Sequence, residues 1–119
     1  MRVIDDAMLI EGIVLDKHRQ KEVEANENIS VVDLAPTADI LLLSFKSIAK
    51  IENLIGLENL TKLCLDNNYI EQIVNLDSLR KLRWLDLSFN KISKIEGLSS
   101  LTCLEDLSLF SNRVSVHDT

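Results

Sequence analysis

Asp66, Asp86 and Asp106 are the side chains of this chain whose type could do chemistry, because two carboxylates in one cleft can divide general acid and general base between them. Nothing in the sequence completes such a site. No nucleophile has a base beside it, and Gly56 and Gly97 belong to neither the G-x-x-x-x-G-K-S/T nor the G-x-G-x-x-G phosphate cradle. His18 and His117 each lack a second histidine or cysteine at ligand spacing, so no metal is expected. Cys64 and Cys103 fall at different phases of the chain's repeat and are expected to be free, idle thiols. No catalytic residue, metal ligand or cofactor is assigned, and the chain is expected not to be an enzyme. What remains is recognition chemistry. Trp84 is the sole tryptophan, with Phe89 and Phe110 close in the pattern and carboxylates beside it, which is the composition of an interface anchor.

The elements that must position these residues are set by a repeat. The pattern L-x-x-L-x-L-x-x-N-x-(I/V) occurs as Leu82, Leu85, Leu87, Asn90, Ile92 and again as Leu104, Leu107, Leu109, Asn112, Val114. With the second leucine as marker, Leu41, Leu63, Leu85 and Leu107 each follow the last by 22 residues. Leucine-rich repeats of about 20–29 residues carry this signature. In L-x-L both leucines lie on one side of a short strand and enter the core together. The I-x-x-I-x-x-L-x-x-L run that follows has period three, which predicts 3₁₀ or helical turns on the convex side. A coil cannot bury its apolar face alone, so coils stack and their strands align as a short parallel sheet on the concave face. The predicted fold class is therefore α/β, a leucine-rich repeat solenoid. Residues 39–119 hold about four repeats, the last incomplete, after an N-terminal flank at 1–38.

Asn68, Asn90 and Asn112 take the slot where the chain turns off the strand, and an amide there satisfies backbone groups of adjacent coils. They are structural residues. Lys46 holds the same slot in the first coil and has no acceptor, so that coil is expected to be irregular there. The residues flanking the core leucines point outward: Lys62, Cys64 and Asp66, then Trp84, Asp86 and Ser88, then Asp106, Ser108 and Phe110. Of these, Lys62, Asp66, Trp84, Asp86, Ser88, Asp106 and Phe110, with Phe89, form the candidate partner-binding set. For Trp84 the alternative is that it lies flat over Lys62 and nearby aliphatic stems. Ile40 and Leu42 are the outward residues of the first strand and need cover, from the N-terminal segment or from a partner.

The flank begins with Val3, Ile4, Met8, Leu9, Ile13 and Val14 among carboxylates, one face of a helix starting near Asp5 or Asp6. Such a helix either covers the N-terminal end of the stack or docks on another protein. Residues 18–28 are polar and predict a solvated helix extension or linker, and Ile29–Leu34 predicts a short strand stopped by Pro36.

Composition narrows the partner. The 13 basic and 19 acidic residues give a net charge of −6, which disfavours a nucleic acid backbone, an anionic membrane surface and the acidic surface of tubulin. No uninterrupted apolar run, Ile40–Leu43 included, comes near the ~20 residues of a membrane span. No apolar leader follows Met1, so an intracellular compartment is expected.

Beyond the repeat itself, three stretches carry a resemblance: WLDLSFNKISKIEGLSSLTCLEDLSLFSNRVS at 84–115, RVIDDAML at 2–9 and LCLDNNYIEQI at 63–73. Together they resemble the N-terminal part of the dynein regulatory complex subunit 3 family, leucine-rich repeat and coiled-coil proteins of motile cilia and flagella. RVIDDAML discriminates most, since repeat geometry does not require it. The resemblance implies a non-catalytic scaffold of the nexin–dynein regulatory complex, in the cytoplasm and cytoskeleton at the axoneme, with other complex subunits as partners. The family continues into further repeats and a coiled coil, whereas this sequence ends within its fourth repeat with His117 where the next isoleucine is due. A piece of a longer protein or a short isoform is expected. The repeats are shared with regulatory subunits of protein phosphatase 1, and a phosphatase-regulator-like binding module is the alternative.

Overall fold

The structure is a computed structural model describing residues 1–26 and 28–114. His117 lies outside the described residues. Four strands, β1 (Ile40–Leu42), β2 (Lys62–Cys64), β3 (Trp84–Asp86) and β4 (Asp106–Ser108), pair in parallel in chain order. Leu41 faces Leu63, Leu63 faces Leu85 and Leu85 faces Leu107, so each step across the sheet is one pass of the repeat. Leu41, Leu43, Leu63, Leu65 and Leu87 are fully buried and Leu85 nearly so. Burial of each such side chain contributes about 1.5–3 kcal/mol. Leu107, on the last described strand, is 36% exposed.

The asparagines hold the stack together as a ladder. Asn68 Oδ1 accepts from the backbone of Lys46 and Ile48 at 3.0 Å, while its Nδ2 donates to the carbonyls of Leu43, Leu65 and Asp66. Asn90 accepts from Ile70 N and donates to Leu65, Leu87 and Ser88, and Asn112 accepts from Ile92 N and donates to Leu87 and Leu109. Each amide thus serves the coil before its own. Lys46 is tolerated because no coil precedes it. Arg2 occupies that side instead, bridging Ile48 and donating its N–H to Ser47 O at 2.7 Å. The irregularity there is a left-handed Ser47, φ 59°, whose counterparts Tyr69, Lys91 and Arg113 have negative φ.

On the convex side the predicted turns take the 3₁₀ form, as single i→i+3 closures. Isolated turns close from Leu54 to Leu57, Leu57 to Leu60, Leu76 to Leu79, Leu79 to Leu82, Leu98 to Leu101 and Leu101 to Leu104, and no helix grows from them among the described residues. Every third side chain goes inward, and the backbone closes a bond only at those steps.

The flank closes the N-terminal end. Helix α1 (Asp6–Gly12) is capped by Asp5, whose carboxylate accepts from Met8 N at 2.8 Å. It presses Met8 and Leu9 onto the first coil, with Ile4 and Ile13 at either end. Ile13 bridges Leu41 antiparallel and Val14 N donates to Ile40 O at 3.0 Å. Of the two placements open to this helix, the structure shows the cover. Gly12 makes it possible: a Cβ there would lie 2.8 Å from the Leu42 carbonyl oxygen. Helix α2 (Lys17–Ala25), capped by Asp16, buries none of its residues.

The strand expected at Ile29–Leu34 is instead helix α3 (Val31–Leu34), continued by a 3₁₀ turn at Ala35–Thr37. The capping chemistry of Ser30 and Asp33 overrides the β-preference of Val31 and Val32. The Asp33 carboxylate accepts from Ser30 N at 2.8 Å and Ser30 Oγ at 3.0 Å, and those bonds hold its pKa below the usual carboxylate range. Pro36 sits in the first turn of the 3₁₀ segment, where a missing N–H costs nothing.

Candidate protein-binding surface

Strand alternation aims two residues of each coil out of the concave side, and the register stacks them into rows. One row is Ile40, Lys62, Trp84, Asp106, and the next is Leu42, Cys64, Asp86, Ser108. Ile40, Lys62, Cys64, Trp84, Asp86 and Asp106 line a groove of about 460 Å³ floored by Leu63 and Leu85. Trp84 is 40% and Leu42 43% exposed.

Trp84 is held by a neighbour that the sequence reading missed. The Arg83 guanidinium carbon lies 5.1 Å from the ring centroid, and Arg83 itself grips Glu105 through Nε at 2.9 Å and Nη2 at 3.1 Å. The signal for that clasp was the repeat spacing: Arg83 and Glu105 share a slot with Asp39 and Thr61, which also bond to each other. This places the Arg83 guanidinium against the ring, with Lys62 its neighbour across the strands.

The three carboxylates do not meet in one cleft. Asp66 lies one row beyond Asp86, which lies one row beyond Asp106, so they run diagonally across the sheet. Asp66 accepts from Ser44 Oγ at 2.5 Å and Asn67 Nδ2 at 2.7 Å, half-buried. Asp86 accepts from Ser88 N at 3.0 Å and Ser88 Oγ at 2.6 Å. Asp106 stands exposed. Ser88 corrects the expectation of an exposed contact residue: it is buried, at 8% exposure, with its hydroxyl and N–H bonded to the outward Asp86 carboxylate. It supports the surface without being part of it.

Phe89 and Phe110 pack edge to face with centroids 5.7 Å apart, and both remain exposed at the rim where the chain leaves the strands. Phe89 adopts a left-handed φ of 56°, in a slot shared with Phe45 (58°), Asn67 (58°) and Ser111 (56°). Phe45, 76% exposed, belongs to the same rim and was not singled out from the sequence.

Cys64 is half-buried and burial pushes its thiol pKa up, against the opposing pull of Lys62, whereas Cys103 is exposed. Both are free. Among the described residues no group of three His, Cys, Asp or Glu side chains gathers as a metal site, and no helix is long and apolar enough to cross a membrane.

Residues 80–116 match the family model described as Leucine Rich repeats (2 copies). Among solved structures, internalin C2 from Listeria monocytogenes is similar at 35% identity and a TM-score of 0.64, over 71% of this chain and 37% of that one. A second internalin, inlF, from the same strain is similar at 31% identity and a TM-score of 0.70, over 92% of this chain and 31% of that one. The chain thus spans about a third of either internalin. A search of curated proteins finds no match. The family match and the two structural likenesses agree with the stacked coils: residues 80–116 are leucine-rich repeats, and the fold is that of a leucine-rich repeat solenoid similar to the internalins.

Proposed function

We propose that this chain is a non-catalytic scaffold whose concave sheet face receives a segment of another protein. The observation that carries the reading is the unfilled concave row itself: Trp84 stands out of the parallel sheet into a groove that the described chain leaves open, and Leu42, 43% exposed, lies on the same face beside the N-terminal flank. Solenoids of this kind use that face for protein partners, and exposed tryptophan with flanking charge is the make-up of an interface anchor.

The partner class follows from the resemblance at residues 2–9, 63–73 and 84–115. It supports a subunit of the nexin–dynein regulatory complex, located at the axoneme of cilia and flagella and bound to other subunits of that complex. The residues that discriminate, Arg2 to Leu9, lie in the strap and helix covering the first coil, away from the repeat geometry shared by many proteins. Direct microtubule contact is not part of this reading, because the net charge of −6 opposes an acidic filament surface.

Affinity capture from ciliated and non-ciliated cells with the wild type and Trp84→Ala tests it. The expected result is capture of nexin–dynein regulatory complex subunits from ciliated cells by the wild type alone. Recovery of a phosphatase catalytic subunit from both cell types, with no axonemal protein, would replace it with the phosphatase-regulator reading.

A further inference from the structure

The concave face is not uniform along the stack. Its first strand presents Ile40 and Leu42, two aliphatic side chains, while its third and fourth present Asp86 and Asp106. Lys62 stands on the second strand, and Trp84 shares the third with Asp86. Lys62 is the sole cation among the outward strand residues, and the nearby Arg83 is already bound to Glu105 through two hydrogen bonds. Ser88 fixes one oxygen of Asp86 from two sides, which orients the carboxylate before any partner arrives and leaves its other oxygen for an incoming donor. Adjacent strands lie about 4.8 Å apart, so the aliphatic end at β1 and the acidic end at β4 are separated by about 14 Å.

We propose that the segment received here is basic and leucine-bearing, and that it crosses the strands with its aliphatic side chains over Ile40 and Leu42 and an arginine or lysine over Asp86 and Asp106. Trp84, beside Asp86 on the third strand, packs against the aliphatic stem of that arginine or lysine. This rests on the reading of the concave face as the binding surface and adds the chemistry and polarity of what binds. In a helical partner, at about 1.5 Å and 100° per residue, positions on the same face about seven and eleven residues beyond the leucines reach the strands of Asp86 and Asp106. Charge complementarity of this kind sets orientation and rejects acidic competitors more than it adds affinity.

The probe is a synthetic amphipathic helical peptide with a leucine pair at one end of one face and arginines about seven and eleven residues on, along the same face. Its counterpart carries glutamates in place of the arginines. Trp84 emission, from the only tryptophan, reports binding. The arginine peptide should give a saturable change that weakens as salt is raised, and the glutamate peptide should give none. Asp86→Asn combined with Asp106→Asn should weaken binding about tenfold, the scale of two partly exposed charge pairs. Lys62→Glu, at an exposed site, should tighten it and guards against a folding defect in the double variant. Equal binding of both peptides, unchanged affinity in the charge variants, or no response to the arginine peptide would each overturn the proposal. Binding that ignores the charge variants yet is lost in Leu42→Glu would leave the concave face standing as the surface and remove only its assigned partner chemistry.

Discussion

The interior of the stack and its concave face obey opposite rules. Inside, Leu41, Leu63 and Leu85 repeat one residue in one slot, and Asn68, Asn90 and Asn112 repeat one amide. Outside, the row that alternates with those leucines reads Ile40, Lys62, Trp84 and Asp106, with four chemistries in four coils. The difference teaches where to look for function. Stacking fixes what points inward, because each inward side chain meets its own kind in the next coil. It leaves the outward row free, so the outward row is where a partner is specified.

The contrast predicts a graded series. Leu63→Ala opens a cavity at a fully buried site and should cost about 2–5 kcal/mol in urea unfolding. An effect no larger than that of a surface substitution would break the interior rule. Asn90→Ala strips an acceptor from Ile70 N and donors from three carbonyls and should cost about 1–3 kcal/mol, since the backbone groups stay buried without partners. Gly97→Ala places a side chain at φ 70° against the Ile73 carbonyl oxygen and should cost at least the ~1–2 kcal/mol of a left-handed residue. Trp84→Ala should change stability by about 0.5–1 kcal/mol, the scale of its Arg83 contact, while removing partner binding. Smallest of all is a difference in rate. Burial raises the Cys64 thiol pKa, so a thiol reagent near neutral pH should modify exposed Cys103 first, and faster modification of Cys64 would contradict its placement on the face.

What the sequence revealed follows the same division. The strand leucines and the turn asparagines were legible because alternation and the turn off the strand admit few residue types. The helix starting near Asp5 or Asp6 was legible because Ile4, Met8, Leu9 and Ile13 fall on one face. A second inter-coil slot was missed: Asn53, Asn75 and Gly97 lie 22 residues apart with φ of 61°, 62° and 70°. Asn75 Nδ2 donates to Ile51 O at 2.7 Å, and Asn53 Nδ2 donates to Ile4 O at 3.2 Å, joining the flank as if it were a preceding coil. The slot escaped notice because asparagine and glycine share a conformation without sharing a side chain. Ser88 was misread because alternation gives the side a residue faces and not its exposure, which its bonds to Asp86 help remove. Val31 and Val32 were misread because the caps at Ser30 and Asp33 are local bonds that outweigh preference. On the face, alternation revealed which residues point outward, but the Arg83–Glu105 clasp required the neighbouring coil to be in place.

The central claim is that the concave face, rather than the convex one, receives the partner. A photo-crosslinking residue placed at Ser108 on the concave row, and in a separate variant at Ile55, which is 89% exposed on the turn side of its coil, tests it most directly in ciliated cells. The account predicts crosslinks to a protein partner from position 108 that disappear with Trp84→Ala, and none from position 55. Crosslinks from position 55 alone, or crosslinks from 108 that persist without Trp84, would contradict it.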